Sequence, residues 1–257
     1  MCSCVVGNIA LPTTGRKVWR LRGILSSASC TMRAGCLERG ARDHALTMDA
    51  ERLKDVSAQL RCSINAVMAC GDADSLRGIE GEAASLYFSV FDELILRDDA
   101  AFRFTVRSRR PPLDNVNALL SFAYSLLANE CAAALEGVGL DPSVGMLHTD
   151  RPGRKSLALD LMEELRPLLA DRFVLTGINN RVFASAHFDK SDSGAVSLND
   201  AGRRAFLTAW KKRRDETITH PFLGEKLPWG LVPHVQALLL ARMLRGDVDA
   251  YPPFLWK

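Results

Sequence analysis

GLDPSVGMLHTDRPGRKSLALDLMEELRP, residues 139–167, carries the strongest structural and chemical signals in this chain. It opens with turn signals at Pro142 and Gly145. A single histidine, His148, and a basic loop follow. A helix then begins near Ser156, a residue type that favours helix N-caps. The stretch therefore predicts a loop that brings an imidazole close to the start of a helix.

The predicted helix is apolar on most sides but carries Asp160 in its middle. A carboxylate on an apolar helix is costly unless it is paired, and Glu163 lies three residues later on the same face. Two carboxylates with an imidazole in the preceding loop are typical of a divalent-cation site. The residues alone leave another interpretation open. In that interpretation Asp160 forms a structural ion pair with Arg154 or Arg166, and His148 is an ordinary core histidine bonded to backbone.

The composition is that of an ordinary soluble globular chain, with 47% hydrophobic and 25% charged residues among 257. A net charge of +3 is too small to indicate nucleic-acid binding by itself. The seven cysteines have neither zinc nor thioredoxin spacing, which favours buried thiols and a reducing, cytoplasmic location. No uninterrupted apolar run approaches the roughly 18 residues that span a bilayer, so we expect no membrane partner.

The pattern predicts a mainly α fold, a helical bundle that starts at about Arg39. Residues 1–38 show no sustained period of 2 or 3.6, and we expect poor order there. Residues 187–198 are polar and turn-rich, which predicts an exposed loop or small hairpin. Residues 251–257 are an aromatic tail that we expect to pack on the body. The clearest predicted helices cover residues 75–96, 115–140, 156–167, 200–216 and 234–247.

Two further features are ambiguous when read from the residues alone. Glu80 lies in the first turns of the 75–96 helix, where an acid is favoured by the helix dipole and is most simply solvated. The run RSRRPP at 107–112 carries three arginines and no acid. It is typical of a solvated loop, and phosphate contact is a second interpretation.

Four segments together resemble one family, the CRISPR-associated endonuclease/integrase that inserts new spacers into a CRISPR array. They are LRGIEGEAASLYF, RSRRPPLDNVNALLSF, the stretch quoted first, and ITHPFLGEKLPWGLVPHVQALLLARMLRGDVDAYPPFLWK. The likeness is greatest to the type I-C variety and runs from about Arg39 to Lys257. It implies a helical catalytic domain over 39–257. The family's N-terminal β-rich domain is then missing, or replaced by an unmatched segment, 1–38.

The resemblance also implies roles for individual residues. The family's metal ligands fall on Glu80, His148 and Glu163, with Asp160 as a neighbouring catalytic acid and Mg²⁺ or Mn²⁺ as the cofactor. The partners implied are double-stranded or branched DNA, a second copy of the chain, and a small CRISPR-associated subunit. The basic residues expected to hold the DNA backbone are Arg107, Arg109, Arg110, Arg154 and Lys155.

The function expected from this resemblance is metal-dependent cleavage and transesterification of DNA in spacer acquisition. One alternative is a truncated, non-enzymatic remnant that folds and binds DNA but cannot dimerise or integrate. Another is an unrelated metal phosphohydrolase on a helical scaffold, which only the cluster of acids and histidine favours.

Overall fold

The computed structural model describes residues 15–148 and 151–256. The predicted mainly α fold is confirmed, with two short antiparallel hairpins beside the helices. The helices are α1 (Gly15–Asp43), α2 (Ala50–Ala69), α3 (Ala73–Ser89), α4 (Asn115–Gly137), α5 (Ser156–Leu165), α6 (Arg172–Asn179), α7 (Asp200–Asp215) and α8 (Val232–Arg245). The strands are β1 (Phe188–Lys190), β2 (Val196–Leu198), β3 (Thr217–Thr219) and β4 (Lys226–Pro228).

Helix α1 corrects the expectation of poor order in residues 1–38. From Gly15 the chain forms a 29-residue helix that packs along α2 and against α5. It continues past residue 38 without a break. Leu21, Leu25 and Leu37 are each at most 2% exposed and belong to the main hydrophobic core. The expectation for residues 1–14 lies outside the described residues.

The packing of α1 gives a stability prediction. Leu25→Ala should lower the free energy of unfolding by about 2–5 kcal/mol, because it leaves a cavity in the core. Arg20→Ala, at an exposed position of the same helix, should change it by less than about 0.5 kcal/mol. Urea unfolding measures both. Equal, small effects of the two substitutions would contradict the packed helix.

Helix α4 lies at the centre of the bundle and contacts α5, α6 and α8. Leu119, Leu120, Ala123 and Leu127 are fully buried. By length and composition α4 is the one described helix that could cross a membrane, and half of its most apolar part is buried inside the protein. The central position therefore accounts for its apolar character, and the predicted 115–140 helix is confirmed to within three residues of its end.

Two element boundaries differ from the sequence prediction. The helical pattern beginning at Arg39 is divided by a turn, because the carboxylate of Asp49 accepts the backbone N–H of Arg52 and caps α2. The predicted 75–96 helix ends earlier, at Ser89, and a 3-10 turn, Phe91–Leu94, follows.

The predicted hairpin at 187–198 is confirmed, with β1 and β2 paired antiparallel. Asn199 accepts the backbone N–H of Gly202 and caps α7. The backbone N–H of Val196 donates to the carbonyl of Pro112 at 2.9 Å. This bond ties the hairpin to the arginine-rich run at 107–112.

The aromatic tail packs on the body, as predicted, and a buried carboxylate holds it. Glu164 accepts the backbone N–H of Phe254 at 2.8 Å, the amide of Gln236 at 2.8 Å and the hydroxyl of Tyr251. Burial raises the pKa of Glu164 to about 7, although these hydrogen bonds oppose the shift.

This raised pKa makes stability depend on pH. Between pH 4.5 and about 7 the folded chain keeps a proton on Glu164 that the unfolded chain has lost. The stabilisation from this group is therefore complete below pH 4.5 and is lost as the pH rises to about 7. Glu164→Gln should reduce the difference in unfolding free energy between pH 5 and pH 8 by up to about 3 kcal/mol. Exposed Glu51→Gln should leave that difference as it is in the wild type, and an unchanged difference in Glu164→Gln would contradict the assignment.

Candidate metal and nucleic-acid site

The loop before α5 places His148. The carbonyl of Pro142 accepts the backbone N–H groups of Leu157 at 2.8 Å and Ala158 at 3.2 Å. These bonds satisfy donors in the first turn of α5 that have no partner within the helix. Helix α5 begins at Ser156, as predicted, but its N-cap is Lys155, whose side chain makes no capping bond.

Asp160 is the group that orients His148. Its Oδ2 accepts the backbone N–H groups of Met146 at 2.5 Å and Leu147 at 2.9 Å. Its Oδ1 accepts the backbone N–H of His148 at 2.9 Å and lies 2.6 Å from Nδ1 of the His148 ring. An Nδ1–H that donates to a carboxylate leaves Nε2 as the nitrogen with a free lone pair.

Asp160, expected as a neighbouring catalytic acid, lies behind His148 and not in the wall of the cavity. The side chain is fully buried and does not line the cavity that Glu163 reaches. Both of its oxygens are occupied by the loop that it holds. Asp160 therefore holds the loop and the ring of His148 in position.

The structure brings Glu80, His148 and Glu163 to the walls of one cavity of about 270 Å³. They come from α3, the loop and α5, while α1 supplies Ser26, Ser29, Cys30 and Arg33 to the same walls. The three side chains proposed from the sequence thus converge, although the chain separates Glu80 widely from the other two.

The two glutamates differ in their surroundings. The Ser26 hydroxyl donates to Oε1 of Glu80 at 2.6 Å. Burial and then the negative charge of Glu163 raise the pKa of Glu80 to about 7. Burial also disfavours the charged form of Glu163, but Arg166 and Arg33 outweigh it and hold the pKa of that carboxyl below its usual value.

Glu163 is held by cationic and hydroxyl groups. Arg166 donates to its Oε1, while Oε2 lies 3.7 Å from Nη2 of Arg33 and 3.4 Å from the Ser29 hydroxyl. As the side chains stand, no three His, Cys, Asp or Glu residues in the described ranges are grouped to hold a metal ion. The chemistry of the donors nevertheless suits a divalent cation. Carboxylate oxygens suit Mg²⁺ and Mn²⁺, and a nearby cation would favour the charged form of Glu80.

The basic residues predicted to contact DNA come from two segments, the 107–112 run and the loop before α5. Arg109 is exposed and lines the cavity, and Arg110 is exposed beside it. Arg154 is half-buried, and Lys155 is exposed, with its amino group 3.8 Å from Glu136.

Arg107, the remaining residue predicted to contact DNA, is half-buried against α4. Its guanidinium donates to Oδ1 of Asn117 at 2.6 Å and to the Ser121 hydroxyl at 3.2 Å. It also lies 5.2 Å from the centre of the Tyr124 ring. These contacts engage Arg107 in holding the 107–112 run on α4.

Sequence reasoning missed the contribution of α1 and of Arg166 to the cavity. Ser26, Ser29 and Arg33 fall at spacings of three and four residues, which places them on one face of a helix. The sequence contains that spacing, but it lies in the segment for which the weak apolar pattern predicts poor order. Arg166 had been considered only as a partner of Asp160, whereas it pairs with Glu163.

Comparison with known proteins places the chain among relatives. The family model for CRISPR associated protein Cas1 matches residues 22–212. The match begins upstream of Arg39, within the segment expected to be unmatched. CRISPR-associated endonuclease Cas1 1 of Chlorobaculum tepidum is 52% identical over 86% of this chain and 64% of its own length. CRISPR-associated endonuclease Cas1 2 of Rhodospirillum rubrum is 55% identical over 86% of this chain and 65% of its own length. The chain spans a little less than two thirds of both relatives.

Solved structures share the fold. The Cas1 protein TM1797 of Thermotoga maritima has a TM-score of 0.74 at 26% identity, over 95% of this chain and 69% of that one. A casposase bound to integration product has a TM-score of 0.79 at 22% identity, over 93% and 63%. A chain of a Cas6-RT-Cas1–Cas2 complex has a TM-score of 0.74 at 23% identity, over 92% and 25%. The family model covers most of the chain, and close relatives agree with it. The chain therefore belongs to the Cas1 family of CRISPR-associated proteins.

Proposed function

We propose that the chain is a metal-dependent DNA endonuclease and integrase that acts in CRISPR spacer acquisition, of the type I-C variety. The observation that carries this proposal is the convergence of Glu80, His148 and Glu163 on one cavity with arginines in its walls. The names of the relatives, both endonucleases, support nuclease activity. The likeness to a casposase bound to integration product supports integration as its second reaction.

Glu80, His148 and Glu163 are the residues that would hold Mg²⁺ or Mn²⁺. A divalent cation in such a site polarises a phosphate and offsets the charge that develops on it. Asp160 holds the imidazole of His148 in one orientation. Ser26 orients Glu80. The resident groups thus orient His148 and Glu80 before a cation arrives, which lowers the cost of assembling the site.

The arginines supply the remaining positive charge. Arg33 and Arg166 line the cavity beside Glu163, and Arg109 lies at its exposed side. Guanidinium groups match the geometry of phosphate oxygens and favour the charge that accumulates during phosphoryl transfer. We infer that Arg33 and Arg109 orient the scissile phosphate.

Cleavage and integration differ only in the nucleophile. A water oxygen or a DNA 3′-hydroxyl oxygen bonds to phosphorus, and the bond from phosphorus to the leaving oxygen breaks. The nucleophile loses a proton and the leaving strand gains one, so each reaction balances without a redox partner. One site therefore serves both.

The experiment that tests this function is nicking of a branched DNA duplex by the full chain in Mn²⁺. We expect nicks that require Mn²⁺ or Mg²⁺ and disappear in EDTA. Equal cleavage in EDTA, or turnover of small phosphoesters but not of DNA, would contradict the proposal. The second outcome would favour a general phosphohydrolase.

DNA contact through the basic residues predicts a dependence on salt. Arg109, Arg110, Arg154 and Lys155 would hold the backbone without reading sequence. Arg109→Ala should reduce the slope of the logarithm of affinity against the logarithm of salt concentration by about 1. Lys54→Ala, at an exposed position of α2, should leave the slope unchanged. Fluorescence anisotropy of a labelled duplex measures both slopes.

The assembly proposed is a homodimer with a small CRISPR-associated subunit, working in the cytoplasm. A solved neighbour is a Cas1 chain in a complex with Cas2, which supports the small subunit. In the described ranges the strands form only two short hairpins. The β-rich domain that pairs protomers in the resembled family is therefore not part of those ranges. Light scattering at micromolar concentration tests the dimer. A strict monomer that neither nicks nor integrates would favour the alternative of a non-enzymatic remnant.

A further inference from the structure

Asp171 is a buried carboxylate that the proposed chemistry does not use. Its side chain is 1% exposed, and Oδ1 accepts the hydroxyl of Tyr124 at 2.6 Å. Oδ2 is buried without a hydrogen-bond partner. A polar atom left unpaired inside a protein costs about 1–3 kcal/mol, so an unpaired carboxylate oxygen is unusual and indicates a second arrangement of its surroundings.

Three arginines lie close enough to Asp171 to influence its charge. Burial raises the pKa of Asp171, while the Tyr124 hydroxyl and then Arg166, Arg33 and Arg107 oppose the shift. None of the ion pairs found among the described residues includes Asp171. Asp171 is therefore a buried carboxyl group that lies near cations but forms an ion pair with none of them in the described ranges.

Arg166 is the cation best placed to reach Asp171. It donates to Oε1 of Glu163, its Nε is buried without a partner, and its guanidinium lies 5.1 Å from the centre of the Tyr124 ring. The hydroxyl of that same ring is bonded to Asp171. The guanidinium of Arg166 thus lies against the Tyr124 ring. It is bonded to Glu163 and has Asp171 nearby.

The backbone between these residues is a π-helical turn, Arg166–Asp171, inserted between α5 and α6. The backbone N–H of Arg172 donates to the carbonyl of Pro167, five residues earlier. This bonding pattern widens the helix, so that residues five apart lie nearly above one another, which an ordinary α-helix does not allow. The turn therefore places Arg166 and Asp171 on the same side of the helix.

We propose that Asp171 is a positioning residue that receives the guanidinium of Arg166 when a divalent cation binds Glu163. The inference rests on the proposed function. Arg166 and the cation compete for the same carboxylate, and a buried guanidinium cannot simply be left unpaired. Moving to Asp171 keeps Arg166 in an ion pair, satisfies Oδ2 and frees Glu163 as a ligand.

The test measures the affinity of the full chain for Mn²⁺ alone. The electron paramagnetic resonance signal of the free ion is the readout. Asp171→Asn should weaken Mn²⁺ binding about tenfold or more, because Arg166 then stays on Glu163. Arg166→Met should bind Mn²⁺ at least as tightly as the wild type. The double variant should match Arg166→Met, since no guanidinium then needs a second partner. A double variant as weak as Asp171→Asn, or an Asp171→Asn variant that binds like the wild type, would overturn the proposal.

Two further variants separate this proposal from the proposed function. Glu163→Gln removes the ligand itself and should abolish Mn²⁺ binding. A wild-type chain that binds no Mn²⁺ overturns both proposals, whereas binding that Glu163→Gln abolishes and Asp171→Asn leaves intact overturns only the role of Asp171. Thermal unfolding by circular dichroism verifies the fold of each variant. If Asp171→Asn does not fold, Arg166→Met decides alone, and weaker Mn²⁺ binding by that variant contradicts the proposal.

Discussion

Replacing His148 by alanine is expected to lower Mn²⁺-dependent nicking of branched DNA by at least about a hundredfold. A cation that polarises the phosphate stabilises the transition state of such a reaction by several kcal/mol. The Asp160 carboxylate contacts Nδ1 of His148 and leaves Nε2 as the free donor. The substitution therefore removes a donor that is already oriented. Gel electrophoresis of a labelled substrate measures the rate.

The matched control for His148 is His44→Ala, because His44 lies in an exposed turn after α1. This variant should nick DNA at the wild-type rate. The His148 variant should keep its fold, since the ring is partly exposed and Asp160 keeps its hydrogen bonds to the backbone of the loop. Wild-type nicking by His148→Ala would remove the imidazole from the mechanism.

Glu80→Gln is expected to separate activity from stability. Nicking should fall by about a hundredfold or more, because a carboxylate ligand becomes a neutral amide. The fold should become more stable at pH 8. Burial and the charge of Glu163 raise the pKa of Glu80 to about 7, so the ionised group destabilises the folded state above that pH. Removing the charge should raise the free energy of unfolding by about 1–3 kcal/mol.

The control for this substitution is Glu82→Gln, an exposed position two residues further along α3. Neither activity nor stability should change there. Urea unfolding at pH 8 and pH 5 gives the stability change, and the gain should be smaller at pH 5, where Glu80 is protonated in the folded wild type. A Glu80→Gln variant less stable than the wild type at pH 8 would contradict the inference that the ionised Glu80 carboxylate destabilises the fold.

The helical pattern in the sequence was strong where large apolar residues recur. Helices α4, α5 and α7 and the hairpin at 187–198 follow from spacing, N-cap residues and turn composition. Helix α1 was missed because its buried face is built partly from small residues, such as Ala28, Cys30 and Ala34. Such residues carry a weak hydrophobic signal but allow close packing against α2 and α5.

The candidate site could be predicted only in part from the sequence. The residues themselves indicate His148 and Glu163, the resemblance adds Glu80, and the structure brings all three to one cavity. The roles of Asp160 and Arg107 depend on hydrogen bonds that no spacing rule supplies. The link from Glu163 through Arg166 to Asp171 depends on a π-helical turn, which the apolar pattern of LRPLLAD does not distinguish from an ordinary helix.

The central claim is that Glu80, His148 and Glu163 bind one divalent cation, and a crystal soaked in Mn²⁺ tests it most directly. The account predicts an anomalous scattering peak within about 2.0–2.6 Å of donor atoms of all three side chains, the usual range of metal–ligand distances. It also predicts that Arg166 has left Glu163 in that crystal. A well-ordered cavity with no peak, or a peak that none of the three side chains reaches, would contradict the account.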